Sequence, residues 1–196
     1  RLLAVISDIG TVAVENSQLF QKTRELAIHD GLTLLYTKGY FLERLKEECR
    51  RSKGKDRPVS LLMLDIDCFK NYNDKFGHIA GDIVLKRLSL VIQQSVKKYD
   101  AVTSRFGGEE FSVVLLNKNM KDALKIAENL RKKIENTKII LRRIETNITV
   151  SIGLAALPEN AVSEDELIYF ADRALYEAKQ NGRNKVVGFS RLAIPG

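Results

Sequence analysis

The segment "VSLLMLDID", residues 59 to 67, constrains the fold of this chain more than any other stretch. A strand with one wet face alternates apolar and polar residues. This one is apolar at nearly every position until it ends in Asp65 and Asp67. Such a run suits a strand buried on both faces, within a sheet that helices cover. The two aspartates fall at the exit of that strand, at one edge of the sheet. They share a face, because side chains two apart point the same way.

The flanking sequence supplies the other elements. "HDGLT", residues 29 to 33, breaks a helix, with Asp30 and Gly31 as turn formers. A helix is expected from about Lys38 to Ser52, with Phe41, Leu42 and Leu45 on its apolar side. "GHIAGD" opens a long helix with Val84, Leu88, Val91 and Ser95 on one stripe and Leu85, Ile92 and Val96 beside it. "AVTSRF" and "FSVVLL" read as two strands. Asn119 can cap a helix whose stripe is Ala123, Ala127, Leu130 and Ile134. "NITVSIGLAAL" is a strand. Ser163 and Glu166 form a capping-box pattern ahead of Leu167, Ala171, Ala174 and Ala178, and Asn181 and Gly182 stop that helix. "KVVGF" is a last strand. The order α-β-α-β-β-α-β-α-β predicts an α/β (α+β) sandwich with helices over a central, mainly antiparallel sheet.

Residues 1–29 are expected to form a separate helix. Leu2, Val5, Ile9, Val12, Asn16, Leu19, Thr23 and Leu26 follow the spacing of a coiled-coil seam. An Asn at the a-type position 16 favours a parallel, in-register pair, so this helix predicts a homodimer and the end of an upstream sensory domain. The bland alternative is a helix that merely packs on such a domain. The expected division is then 1–29 N-terminal coiled-coil helix, 30–190 main domain and 191–196 tail.

Composition narrows the function. At 196 residues and 44% apolar, the chain fits one soluble domain plus an extra element, and no run approaches the about 20 apolar residues of a membrane span. Cys49 and Cys68 are not spaced as a metal pair, which suits a reduced, cytoplasmic protein. The net charge of +7 favours anionic partners. The basic run "RRSKGKDRP", residues 50 to 58, has no aromatic residue and reads as a solvated loop. No nucleic-acid module is evident, so charge alone does not make this a nucleic-acid binder.

Chemistry concentrates in "RFGGEEF", residues 105 to 111. Gly107 and Gly108 suit a tight hairpin and let a ligand approach the backbone. Glu109 and Glu110 point opposite ways if the strand stays extended. If this hairpin neighbours the "DID" strand, the carboxylates converge at one sheet edge. Crowded carboxylates repel, so a positive charge is expected among them. Hard oxygen donors of this kind suit Mg²⁺ or Mn²⁺, which keep waters and also bind substrate phosphates.

These residues carry a resemblance. "RFGGEEF" is similar to the signature of GGDEF domains, the diguanylate cyclase family, in its GGEEF variant. "LLMLDIDCFKNYNDKFGHIAGD", "ITVSIGLA" and "ADRALYEAKQNGRNKV" resemble further family segments in the right order, so the likeness covers roughly residues 30 to 189. The resemblance implies a palm-like nucleotidyl-cyclase sheet that joins two GTP into cyclic di-GMP and releases two pyrophosphates. It implies that Asp65, the carbonyl of Ile66, Glu109 and Glu110 hold two metal ions per GTP, with Glu109 the base for the 3′-hydroxyl. It further implies Asn73 and Asp82 on the guanine edge, His78 near the base or ribose, and Phe69, Gly107 and Gly108 lining the substrate. Lys70 would offset phosphate charge, and Lys179 and Arg183 would reach the terminal phosphates. Lys179 and Arg183, four apart, share a helix face if the helix persists. Otherwise they are cations complementing a helix C-terminus.

The chain departs from the family pattern at two places. Leu34, Thr37 and Gly39 replace a glycine, an asparagine and an arginine in the entry motif, which predicts altered coupling to the upstream helix. Lys97, Lys98 and Asp100 do not reproduce the R-x-x-D product-inhibition motif, so no effective inhibitory site is expected. The competing functional readings are a catalytically silent GTP or cyclic di-GMP binding module and an enzyme making a mixed dinucleotide. Asp82, which accepts from guanine but not adenine, weighs against the latter.

Overall fold

The computed structural model describes residues 28–52, 57–141 and 144–190. The seam of residues 1–26, the middle of the basic run and the C-terminal tail lie outside the described residues. Strands β1 (Tyr36–Thr37), β2 (Val59–Ile66), β3 (Ala101–Gly107), β4 (Glu110–Leu116), β7 (Val150–Leu157) and β8 (Val186–Gly188) form one sheet in the order β1-β3-β4-β2-β7-β8. β2 pairs antiparallel with β4 and β7, and β3 with β4; only the outer pairs β1–β3 and β7–β8 are parallel. The expected central, mainly antiparallel sheet is what the chain forms.

All eight residues of β2 are buried, as are all eight of β7. Alternation sends Leu62, Leu64 and Ile66 to one face and Leu61 and Met63 to the other. On the first face pack α3 (His78–Val96) and α4 (Met120–Glu135), through Val84, Leu88 and Ile92 and through Ala123, Ala127 and Leu130. On the second pack α1 (Lys38–Ser52), through Phe41, Leu45 and Cys49, and α5 (Glu164–Gln180), through Leu167, Ala171 and Leu175. α5 lies unusually close to β7: a Cβ on Gly153 would stand 2.1 Å from the Leu175 nitrogen and 2.2 Å from the Ala171 oxygen.

Capping follows the sequence with one variation. The Asn119 side chain accepts from Asp122 N at 2.9 Å, and Ser163 Oγ from Glu166 N at 3.2 Å. The Glu166 carboxylate, however, accepts from Val162 N at 3.0 Å, closing its loop one residue earlier than a standard capping box. Three features go beyond the predicted order. β1 has two residues, and the hairpin of β5 (Ile139–Leu141) and β6 (Ile144–Thr146) has three in each strand, too short to display a period. The helix α2 (Phe69–Phe76) follows Cys68, a left-handed residue at φ 56° with no side-chain cap, so no start signal marks it.

Candidate nucleotide and metal site

The site gathers where β2 leaves the sheet, beside the β3–β4 hairpin. In the β2–β4 register Asp65 stands directly opposite Glu110. The two therefore share a face, that of α1 and α5. Glu109, in the turn, faces the other side, and its carbonyl accepts from Ile66 N at 3.4 Å. Gly108 takes φ 42°, a backbone state that favours glycine. Arg105 braces the turn, its Nε donating to the Gly108 carbonyl at 2.9 Å and its Nη1 lying 3.3 Å from Asp30 Oδ2.

On the α1/α5 side Asp65 is buried, and Lys179 from the end of α5 places its ammonium 2.7 Å from Asp65 Oδ2. Burial holds the Asp65 carboxyl above its ordinary 3.8, and neighbouring Asp67 adds to the rise, while Lys179 and Arg183 oppose it. Glu110 is likewise held above 4.5, first by burial and then by the Asp65 charge. Asp67 does not join this pair. Its carboxylate accepts from Thr149 Oγ1 (2.7 Å), Ser151 Oγ (2.6 Å) and Asn184 N (3.0 Å).

On the α2/α3 side lies a cleft of about 410 Å³. It brings together Phe69, Lys70, Asn73, His78, Asp82, Gly108 and Glu109, all singled out in the sequence, with Arg105 and Gly81 in its wall. Asn73 Oδ1 is buried without a hydrogen-bond partner. A buried acceptor left unpaired costs about 1–3 kcal/mol. Gly81 makes the room: a Cβ there would stand 2.0 Å from Asn73 Oδ1. Gly107 sits below Glu110, whose Oε2 would be 3.5 Å from a Cβ at that position. Lys97 and Lys98 line a separate cleft of about 670 Å³ between α3 and α4, with Asn129 and Lys133. Asp100 is not among its lining residues.

The residues are thus sorted onto two sides of one hairpin. Asp65, Glu110 and Lys179 meet on one, and the cleft with Glu109 lies on the other. Sequence reasoning passed over Arg105, Gly81 and Asn184. Each lies inside a segment that carried the resemblance, which was the signal available for it.

Fold and site together have the form of a nucleotide-handling α/β domain with a carboxylate pair beside its cleft. The family model described as "Diguanylate cyclase, GGDEF domain" matches residues 27–185, and the chain belongs to that family. It is 40% identical over 92% of its length to diguanylate cyclase A of Treponema denticola, and 39% identical over 84% to response regulator PleD of Caulobacter vibrioides. It spans 48% and 36% of the length of those two relatives. The coiled coil and GGDEF domain of DgcB from Caulobacter crescentus, solved in complex with c-di-GMP, superposes at a TM-score of 0.88 with 28% identity. That superposition covers 95% of this chain and 98% of the other.

Family membership implies a divalent metal, and the chemistry of the donors fits one. Asp65 and Glu110 offer hard oxygens, and a cation, the Lys179 ammonium, already lies against Asp65. Among the described residues no group of three or more Asp, Glu, His or Cys side chains could hold a metal unaided.

Proposed function

We propose that the chain is a diguanylate cyclase that condenses two GTP into cyclic di-GMP. The observation that carries this reading is the unpaired Asn73 Oδ1 beside the cleft that holds Asp82, with the Asp65–Glu110 pair across the hairpin. Guanine offers N1–H and an exocyclic amine to these acceptors, and adenine lacks that pattern. A site built on such bonds rejects the analogue by roughly 10⁴-fold. Phe69 and His78 flank the base. Lys70, Lys179 and Arg183 neutralise the triphosphate, for which Lys179 leaves Asp65.

Asp65, Glu110, the Ile66 carbonyl and Glu109 are the residues to hold Mg²⁺ or Mn²⁺, two per GTP. Bound there, the metal stabilises phosphate charge and makes the 3′-hydroxyl more acidic. Each 3′-oxygen bonds to the α-phosphorus of the other nucleotide, and the bond to pyrophosphate breaks. Glu109, on the cleft side of the turn, accepts the hydroxyl proton. The rest is positioning, which governs phosphoryl transfer.

One domain holds one nucleotide, so two must face each other. A homodimer through the residue 1–29 helix, driven by an upstream sensory domain, supplies that encounter in a cytoplasmic setting. Among the described residues no helix is long and apolar enough to cross a membrane. The altered Lys97, Lys98 and Asp100 make product inhibition weak or absent, and cyclic di-GMP bound away from the cleft at about micromolar levels would count against this.

The test is direct. The protein is incubated with GTP, ATP or both, with Mg²⁺, and products are identified by mass. Cyclic di-GMP from GTP alone, lost in Glu109→Gln and Asn73→Ala, supports the reading. Tight GTP binding without product would make it a silent binding module.

A further inference from the structure

Residues 182 to 184, just past α5, run through three successive left-handed conformations, with φ of 102°, 61° and 46° at Gly182, Arg183 and Asn184. Each of the two non-glycine residues costs about 1 kcal/mol in that region. The loop therefore needs external bonds to keep its shape.

Those bonds converge on Asn184. Its backbone N–H donates to Asp67 Oδ2 at 3.0 Å, and its side-chain amide donates to Glu135 Oε1 at 2.7 Å. Its side-chain oxygen accepts from Arg131 Nη1 at 2.6 Å. Asp67 is itself fixed by Thr149, just before β7, and by Ser151 on β7. Arg131, on α4, is only 9% exposed, and it also donates to both Glu128 oxygens and to Glu135 Oε2. On the far side of the loop, Arg183 N donates to the Ala178 carbonyl at 3.0 Å. The Arg183 residue held between these anchors lines a cleft of about 470 Å³ with Asp67, Cys68, Lys75 and Thr149, at the exit of β2.

A buried guanidinium is a poor way to stabilise a helix. Desolvating it costs several kcal/mol, and an apolar side chain of similar volume often serves stability as well or better. Arg131 pairs with Glu128 and Glu135 on its own helix, and its bond beyond that helix goes to the loop that carries Arg183.

We infer that Arg131 and Asn184, with Asp67, are positioning residues. They clamp the left-handed loop so that the Arg183 guanidinium meets the terminal phosphates of the nucleotide. This rests on the reading of the site as a GTP site. It adds that affinity for the triphosphate, as opposed to the guanosine, is set from α4 on the first face of the sheet.

The probes are 3′-deoxy-GTP, which cannot react, and 3′-deoxy-GMP, each titrated with Mg²⁺ into the full chain. Arg131→Met and Asn184→Ala should weaken 3′-deoxy-GTP by about tenfold, the scale of one charge-assisted bond, and 3′-deoxy-GMP by less than about twofold. KM for GTP should rise more than kcat falls. Both variants are titrated well below their own melting temperatures, so that loss of the Arg131 ion pairs to Glu128 and Glu135 does not stand in for loss of the clamp. On an Arg183→Ala background neither change should weaken 3′-deoxy-GTP further. Equal loss of both probes, or additive loss on that background, would overturn the inference. If Arg183→Ala alone changes nothing while the wild type binds 3′-deoxy-GTP, the inference fails but the site reading stands. If the wild type binds neither probe, the site reading fails and takes the inference with it.

Discussion

At the scale of single residues, local chemistry and backbone geometry disagree at Leu34. It is 69% exposed and sits at φ 61° in the turn closed by Leu34 N to the Asp30 carbonyl (2.9 Å). The side chain makes the conformation costly and buries little. Leu34→Gly should therefore stabilise the domain by roughly 0.5–1 kcal/mol, net of glycine's greater freedom when unfolded. In a chain of this size that raises the melting temperature by about 2 °C, and a lower one would refute the strain. Gly81→Ala should act the other way on binding. Its new methyl displaces Asn73, so KM for GTP should rise at least about tenfold with a small change in thermal stability. Asp65 and Glu110 bind protons more tightly folded than unfolded. In the window just above 3.8 and 4.5 the native state keeps protons that the unfolded chain has released. Stability from these groups thus falls as pH rises through it. Urea titrations across that window should show wild type losing stability relative to Asp65→Asn as pH increases; the opposite sign would contradict the burial argument. Residue types were legible here from the motif. The orphaned Asn73 oxygen and the left-handed Leu34 were not, because both are consequences of placement.

At the scale of elements, the contact between α5 and β7 governs the site. Gly153→Ala would drive a methyl into the α5 backbone near Leu175 and Ala171. A helix backbone cannot step aside as a flexible side chain can, so the cost should reach about 3 kcal/mol or more. Because α5 carries Lys179, cyclase activity should fall even below the melting transition, and near-wild-type turnover with an unchanged melt would refute the close approach. The long helices were legible by their period and the buried strands by their nearly unbroken apolar runs. α2 and the β5–β6 hairpin were not, since two turns without a cap and three-residue strands carry too little pattern. The Arg131–Asn184 bond joins residues 53 apart on different elements, and no local signal marks such a pair.

At the scale of the whole molecule, the described domain presents one cleft with its carboxylate pair, while the proposed reaction consumes two nucleotides. Specific activity should therefore decline on dilution, and decline further on removing residues 1–28. Activity per molecule that stays constant over about a hundredfold dilution would argue against two facing domains, unless the pair is already tight.

Asp65 and the glutamate pair lie far apart in the chain; the amino-acid pattern put each at a strand end, and the strand order β4-β2 brought them to one sheet edge. Two-sided burial of residues 59–66 demands a central strand, and hydrophobic periodicity is read from composition and spacing alone. It could not say which glutamate Asp65 would meet. That depended on the β2–β4 register, and in a pleated strand a shift of one residue exchanges the faces. The register emerged only when every apolar side chain of β2 and β4 found its layer at once. That packing set Glu110 opposite Asp65 and turned Glu109 toward the cleft.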